Sequence, residues 1–91
     1  MALSKEDAIK QARADLARRL GVAEDEIKEE AVDQVDFPDM ALGAPVADEM
    51  SGQMITSGWR IRLSAGGQKA EYRANRDQLR LYNYQGSNYR L

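Results

Sequence analysis

The chain has 91 residues, of which 43% are hydrophobic and 31% charged, with 2 Pro and 7 Gly; this describes one small folding unit with a single core, not a disordered or fibrous chain. With no Cys and no His, disulfides, thiolate or imidazole metal sites, Ser-His-Asp and Cys-His catalysis and a histidine pH switch are all excluded. The net charge is −2, and Met1-Ala2-Leu3-Ser4 runs straight into Lys5-Glu6-Asp7 without an apolar leader core, so the expectation is a cytoplasmic protein with no membrane segment.

The first element carries the plainest signals. Ser4 followed by Asp7 is a capping box, in which each side chain satisfies the other residue's free amide, so a helix is expected from Lys5. Ala8, Ile9, Ala12, Leu16 and Leu20 recur at helical spacing, with Lys10, Arg13, Arg18 and Arg19 on other faces. Gly21 suits the left-handed position past the last turn, which places the helix at about 5–20. The acidic run 24–30 contains one apolar anchor, Ile27, and reads as a turn entering a strand. That strand is expected at about 31–37, with Ala31, Val35 and Phe37 on one side and Val32, Gln34 and Asp36 on the other. Asp33 interrupts the apolar side, and Pro38 ends the strand because it has no N–H for the ladder.

Residues 38–57 show no clean period and scatter Gly43, Pro45, Gly52 and several Met and Leu side chains. So long a connection in so short a chain points to a function or to local disorder. A hairpin follows at 58–75. Trp59, Ile61 and Leu63 alternate with Arg60, Arg62 and Ser64, Gly66-Gly67 turns the chain, and Ala70, Tyr72 and Ala74 alternate with Glu71, Arg73 and Asn75. This register sets Leu63 against Ala70, Ile61 against Tyr72 and Trp59 against Ala74 on one face. On the reverse face Arg62 meets Glu71, but Arg60 meets Arg73, a like-charge conflict. One or two further strands are expected within 78–91, around Leu79 and Leu81 and from Asn88 to Leu91. The predicted fold is therefore α+β, one N-terminal helix on a sheet of 3–4 antiparallel strands, with a long loop after the first strand and the other sheet face open.

Charge is divided unevenly: residues 1–57 carry 6 Lys+Arg and 13 Asp+Glu, net −7, and residues 58–91 carry 7 and 2, net +5. Arg60, Arg62 and Arg73 on the open face, with Lys69, Arg80, Tyr82 and Tyr84 nearby, form an alternative anion-binding set of the kind that holds single-stranded nucleic acid. The bland reading is preferred, because Glu29, Glu30, Asp33 and Asp36 are close enough in the fold to pair with these arginines and the overall charge is negative. The carboxylates Glu24-Asp25-Glu26 and Asp48-Glu49 lack the spacing of a calcium loop and read as solubilising surface. The serines have no base to activate them, so no catalytic residue, metal or cofactor is expected.

Phe37-Pro38-Asp39, Leu42-Gly43-x-Pro45, Gly58-Trp59-Arg60-Ile61-x-Leu63 and Gly67 followed by Tyr72-Arg73 together resemble a family of small bacterial domains of unknown function, frequent in cyanobacteria, over about residues 5–80. In many members cysteines stand at the positions of Ala41 and Ser51, and those members look exported and disulfide-linked; this chain departs at both. The order of elements is also similar to half of a PepSY-type module, which implies a peptidase inhibitor or propeptide-like role as an alternative. The first expectation is a non-enzymatic domain, a monomer or weak homo-oligomer, that binds another protein through the 39–57 loop, using Phe37, Pro38, Asp39, Leu42, Gly43 and Trp59. Nucleic acid is the third reading.

Overall fold

The structure is a computed structural model that describes residues 2–91. It contains one helix, α1 (Lys5–Leu20), a 3-10 turn at Glu24–Glu26, and five strands: β1 (Lys28–Phe37), β2 (Thr56–Ala65), β3 (Gln68–Ala74), β4 (Leu79–Tyr84) and β5 (Ser87–Arg90). All neighbouring strands are antiparallel and lie in chain order β1-β2-β3-β4-β5. The sheet thus has five strands where 3–4 were expected, and β1 begins at Lys28, inside the acidic stretch assigned to a turn. Backbone pairing overrides the unfavourable side chains there, since Lys28 lies opposite Ser64 and Glu29 opposite Leu63, with a bulge before Ala31.

Both ends of α1 form as their residues dictate. The Ser4 hydroxyl accepts from the Asp7 N–H and the Asp7 carboxylate accepts from the Ser4 N–H. Gly21 takes the left-handed conformation at φ 68° and donates its N–H to the Ala17 carbonyl. Ala8, Ala12 and Leu16 are buried along one stripe, and the two alanines let the helix approach the sheet closely. Beneath it run two cross-strand rows, Val32-Ile61-Tyr72-Leu81-Tyr89 and Gln34-Trp59-Ala74-Leu79. The hairpin register is the expected one at all six apolar positions.

One polar tie crosses this core. Asp15, facing the sheet from α1, is almost fully buried and accepts from the Tyr72 hydroxyl at 2.7 Å, from Arg19 Nε at 2.7 Å and from Arg18 at 2.7 Å. Burial, then donation to the carboxylate, pushes the Tyr72 hydroxyl well above the usual tyrosine range. Arg19 lies over the rings of Tyr89 and Tyr84, so the charges brought into the core are matched at each step.

The second sheet face is only partly open. The apolar side of β1, ending in buried Phe37, is turned away from α1, and the connection from β1 to β2 folds back across this face as a strap, residues 38–55.

Candidate functional site

The strap is built from its first turn outward. After Pro38, one oxygen of the Asp39 carboxylate accepts from the N–H groups of Ala41 and Gly43, both at 2.9 Å, and so closes a tight loop. Leu42 and Gly43 follow with φ 59° and 67°. Glycine is needed at 43 twice over, for the left-handed backbone and because a Cβ there would stand 2.7 Å from the Arg73 guanidinium. These two left-handed residues turn their carbonyls toward the sheet, where Arg73 donates to Leu42 at 3.1 Å and to Gly43 at 3.2 Å.

Further fastenings come from β4 and β5. Gln78 donates to the Met40 carbonyl at 2.6 Å, and Asn88 to the Pro45 carbonyl at 2.8 Å. Arg80, fully buried, donates to the Ala44 carbonyl at 3.2 Å and to both oxygens of Glu49 at 2.6 Å. These bonds from Arg80 hold the Glu49 carboxyl at about 2, against burial, with help from the Val46 N–H. Glu49, assigned from sequence to solubilising surface, is instead the strap's main anchor.

This arrangement settles the arginine conflict. Asp33, Arg60, Arg73, Arg80 and Arg90 stand opposite one another in one row across all five strands. Arg60 leans to Asp33 at 3.7 Å. Arg73 turns the other way, bonding Glu71 at 2.8 Å and lying 3.6 Å above the Tyr82 ring. Arg60 and Arg73 thus turn to different acceptors, Arg80 and Arg90 share Glu49, and Asp33, which broke the apolar pattern of β1, is there to meet Arg60. Of the set Arg60, Arg62 and Arg73, only Arg62 keeps substantial exposure, so these three do not form one basic platform.

The six residues expected to meet a partner are separated as well. Phe37 and Leu42 are buried, Asp39 and Gly43 are spent on the turn and on Arg73, and Trp59 packs half-buried on the helix side of the sheet, away from the strap. Pro38 alone is freely exposed. The apolar residues that do face solvent were read only as part of a mixed group: Met50, Ile55, Met54 and Met40 are 98%, 71%, 65% and 49% exposed. Nothing in a sequence without period separates these from Leu42.

Gly58 lies at a close approach of two strands. A Cβ on it would come within 2.2 Å of the Ala74 carbonyl oxygen and 3.2 Å of the Phe37 ring, so the glycine is where β2 and β3 close on one another beside Phe37. Phe37, Asp39, Leu42, Gly43, Gly58 and Arg73 therefore act together as the device that clasps strap to sheet.

Residues 9–82 match the family described as a domain of unknown function, DUF8738. The chain belongs to that family, whose extent includes α1 from Ile9, the whole strap and the sheet as far as Tyr82. No curated protein and no solved structure matches the chain. No helix among the described residues is long and apolar enough to cross a membrane.

Proposed function

We propose that this chain is a non-catalytic protein-binding domain whose contact surface is the outer side of the strap, with Met40, Met50, Met54 and Ile55 as its apolar contacts. The observation that carries the reading is the distribution of exposed apolar side chains: apart from Tyr89 and Leu91 at the C-terminal end, every exposed large hydrophobic of the described residues lies on the strap. Unbranched, polarizable methionine side chains adapt to a partner's contours, and the clasp beneath them supplies a firm base, which lowers the ordering cost of binding. The functional surface is thus shifted from Phe37, Leu42 and Trp59 to the residues those side chains support.

Site-specific photocrosslinking tests this. With a photoreactive phenylalanine at Met54, a defined protein adduct is expected in cells of the source organism, absent when the probe stands at Lys10 on the helix. The same adducts from both positions, or none from Met54, defeat the reading. A peptidase is the partner suggested by the PepSY-like layout, and a peptidase panel left unaffected by micromolar protein removes that version of it.

A further inference from the structure

β1 is the long edge of the sheet. It pairs with β2 alone, and among the described residues no other strand or turn bonds its backbone. One of its ten residues is buried, against four of ten in neighbouring β2. An exposed edge is commonly blunted by a bulge, a proline or a covering segment. On β1 the bulge stands near the N-terminal end, between Glu29 and Ala31, and residues 31–37 run opposite β2 without interruption. The four carboxylates of the strand lean inward: Glu29 toward Arg13 at 3.8 Å, Glu30 to the Ser64 hydroxyl, Asp33 toward Arg60 at 3.7 Å and Asp36 to the Ser57 hydroxyl at 2.7 Å. None of them folds over the outward N–H and C=O groups. What they leave on the edge is charge. β1 and its approach, residues 24–36, carry seven carboxylates and one cation, Lys28, and with Arg13 and Arg60 counted in, the surplus is still four negative charges.

We propose that the free edge of β1 accepts an extended basic segment of another protein as an added strand, with main-chain hydrogen bonds completing the ladder and lysine or arginine side chains meeting the carboxylates. Main-chain pairing supplies the affinity in this mode and the side chains select the partner. The surplus charge turns away an acidic strand, and also a second copy of β1, whose carboxylates would stand against like charges. It draws a basic strand in. Spacing along the edge defines that strand further. Glu30, Asp33 and Asp36 recur at every third residue, with half-buried Val32 and Val35 between them. An antiparallel partner therefore needs cations three residues apart, each followed by a β-branched apolar residue. The inference does not depend on the strap's outer side, since it uses the β1 backbone and no strap residue.

The test is amide NMR of the full chain with three capped peptides. The first repeats lysine-valine-threonine twice and ends on lysine, the second has glutamate in place of each lysine, and the third is the lysine peptide N-methylated at both valines, which strikes one amide on either edge of the peptide strand. The lysine peptide is expected to saturate with a Kd at or below about 1 mM and to slow hydrogen exchange at alternate amides from Ala31 to Phe37. Added salt should weaken it. Asp33→Asn and Asp36→Asn, both at exposed positions, should each weaken it about threefold, the scale of an exposed ion pair, with otherwise native spectra. Equal binding of the glutamate peptide, undiminished binding of the N-methylated one, indifference to both substitutions, protection confined to the strap, or no saturation by about 10 mM, well above the expected Kd, each overturn the proposal. So does protection of the same alternate amides in the peptide-free protein that grows with its concentration, which makes a second copy the occupant.

Discussion

Glu49 and Arg80, 31 residues apart, meet through two parallel hydrogen bonds of 2.6 Å and fasten the strap to the middle of β4. The Glu49 carboxyl sits at about 2 in the folded chain against an ordinary value of 4.5, so as pH falls the unfolded state takes up this proton first. Its contribution to stability is therefore complete above about pH 4.5 and is lost between there and about pH 2. Glu49→Gln should be destabilised at neutral pH by roughly 3 kcal/mol, the cost of leaving a buried cation poorly matched. Calorimetric melting curves should show the gap between the two proteins narrowing across that acid window; a gap that stays constant means that the ion pair is not the source.

Leu42 and Met50 separate the two sides of the strap. Leu42 is 0% exposed, and Leu42→Ala should cost about 2–5 kcal/mol by loss of buried contact and the cavity left behind. Met50→Asp, at an almost fully exposed position, should stay within about 0.5 kcal/mol of the parent. Urea titration of both variants checks the contrast, and comparable losses from the two would place Met50 in the core.

How much of this was legible depends on how far each contact reaches along the chain. The α1 caps join residues three or four apart, and the β2–β3 register is set by one tight turn, so Ser4, Asp7, Gly21 and Gly66-Gly67 were sufficient to place them. The strap is held by contacts between residues 30 or more positions apart, Arg73 with Leu42 and Gly43, and Arg80 with Glu49. No local period records such contacts. For the same reason Asp15 looked like one more polar helix residue, since its partner Tyr72 lies 57 positions away. The Arg60–Arg73 conflict was the one clue to the covered face. Like charges opposite each other imply acceptors from elsewhere, and the strap carbonyls with Asp33 and Glu71 supply them.

Gly58 is the position where the clasp tolerates least. A methyl group 2.2 Å from the Ala74 carbonyl oxygen meets backbone on a central strand and cannot be relieved by a side-chain rotation. Gly58→Ala should therefore lower stability by about 3 kcal/mol, at the upper end of what overpacking costs, and loosen the strap. Hydrogen exchange at Met40 and Ala44 reports the second effect directly, and unchanged protection at both amides with a native melting temperature counts against this role for the glycine.

Met40 donates its N–H to the Gly52 carbonyl at 3.0 Å, which brings the two ends of the strap side by side, with Ala41 and Ser51 each one residue inside that bond. Oxidised Ala41→Cys/Ser51→Cys should form a disulfide that closes a loop of about ten residues and stabilises the fold by about 3 kcal/mol on the chain-entropy account. Thiol titration and melting before and after reduction decide it; free thiols after mild oxidation mean that the two strap ends do not meet.

The strap also concentrates this chain's oxidisable sulfur. With no Cys in the sequence, the thioethers of Met40, Met50 and Met54 are the accessible soft nucleophiles among the described residues, each exposed. Hydrogen peroxide transfers one oxygen to each sulfur and leaves as water, turning a flexible apolar side chain into a polar sulfoxide. Met50 and Met54 should oxidise first. Met40 should follow more slowly, because its sulfur rests against Gly52, at 2.6 Å from where a Cβ on that glycine would stand. Peptide mapping gives the order, and the melting temperature should hardly move, since none of the three side chains belongs to the core. If the strap's outer surface contacts a partner, the same treatment should abolish the Met54 crosslink, and a Met50→Leu/Met54→Leu chain carrying its photoreactive residue at Ile55 should keep crosslinking after peroxide. Loss in both chains would trace the effect to the partner's own oxidation, and retention in both would remove the methionines from the contact.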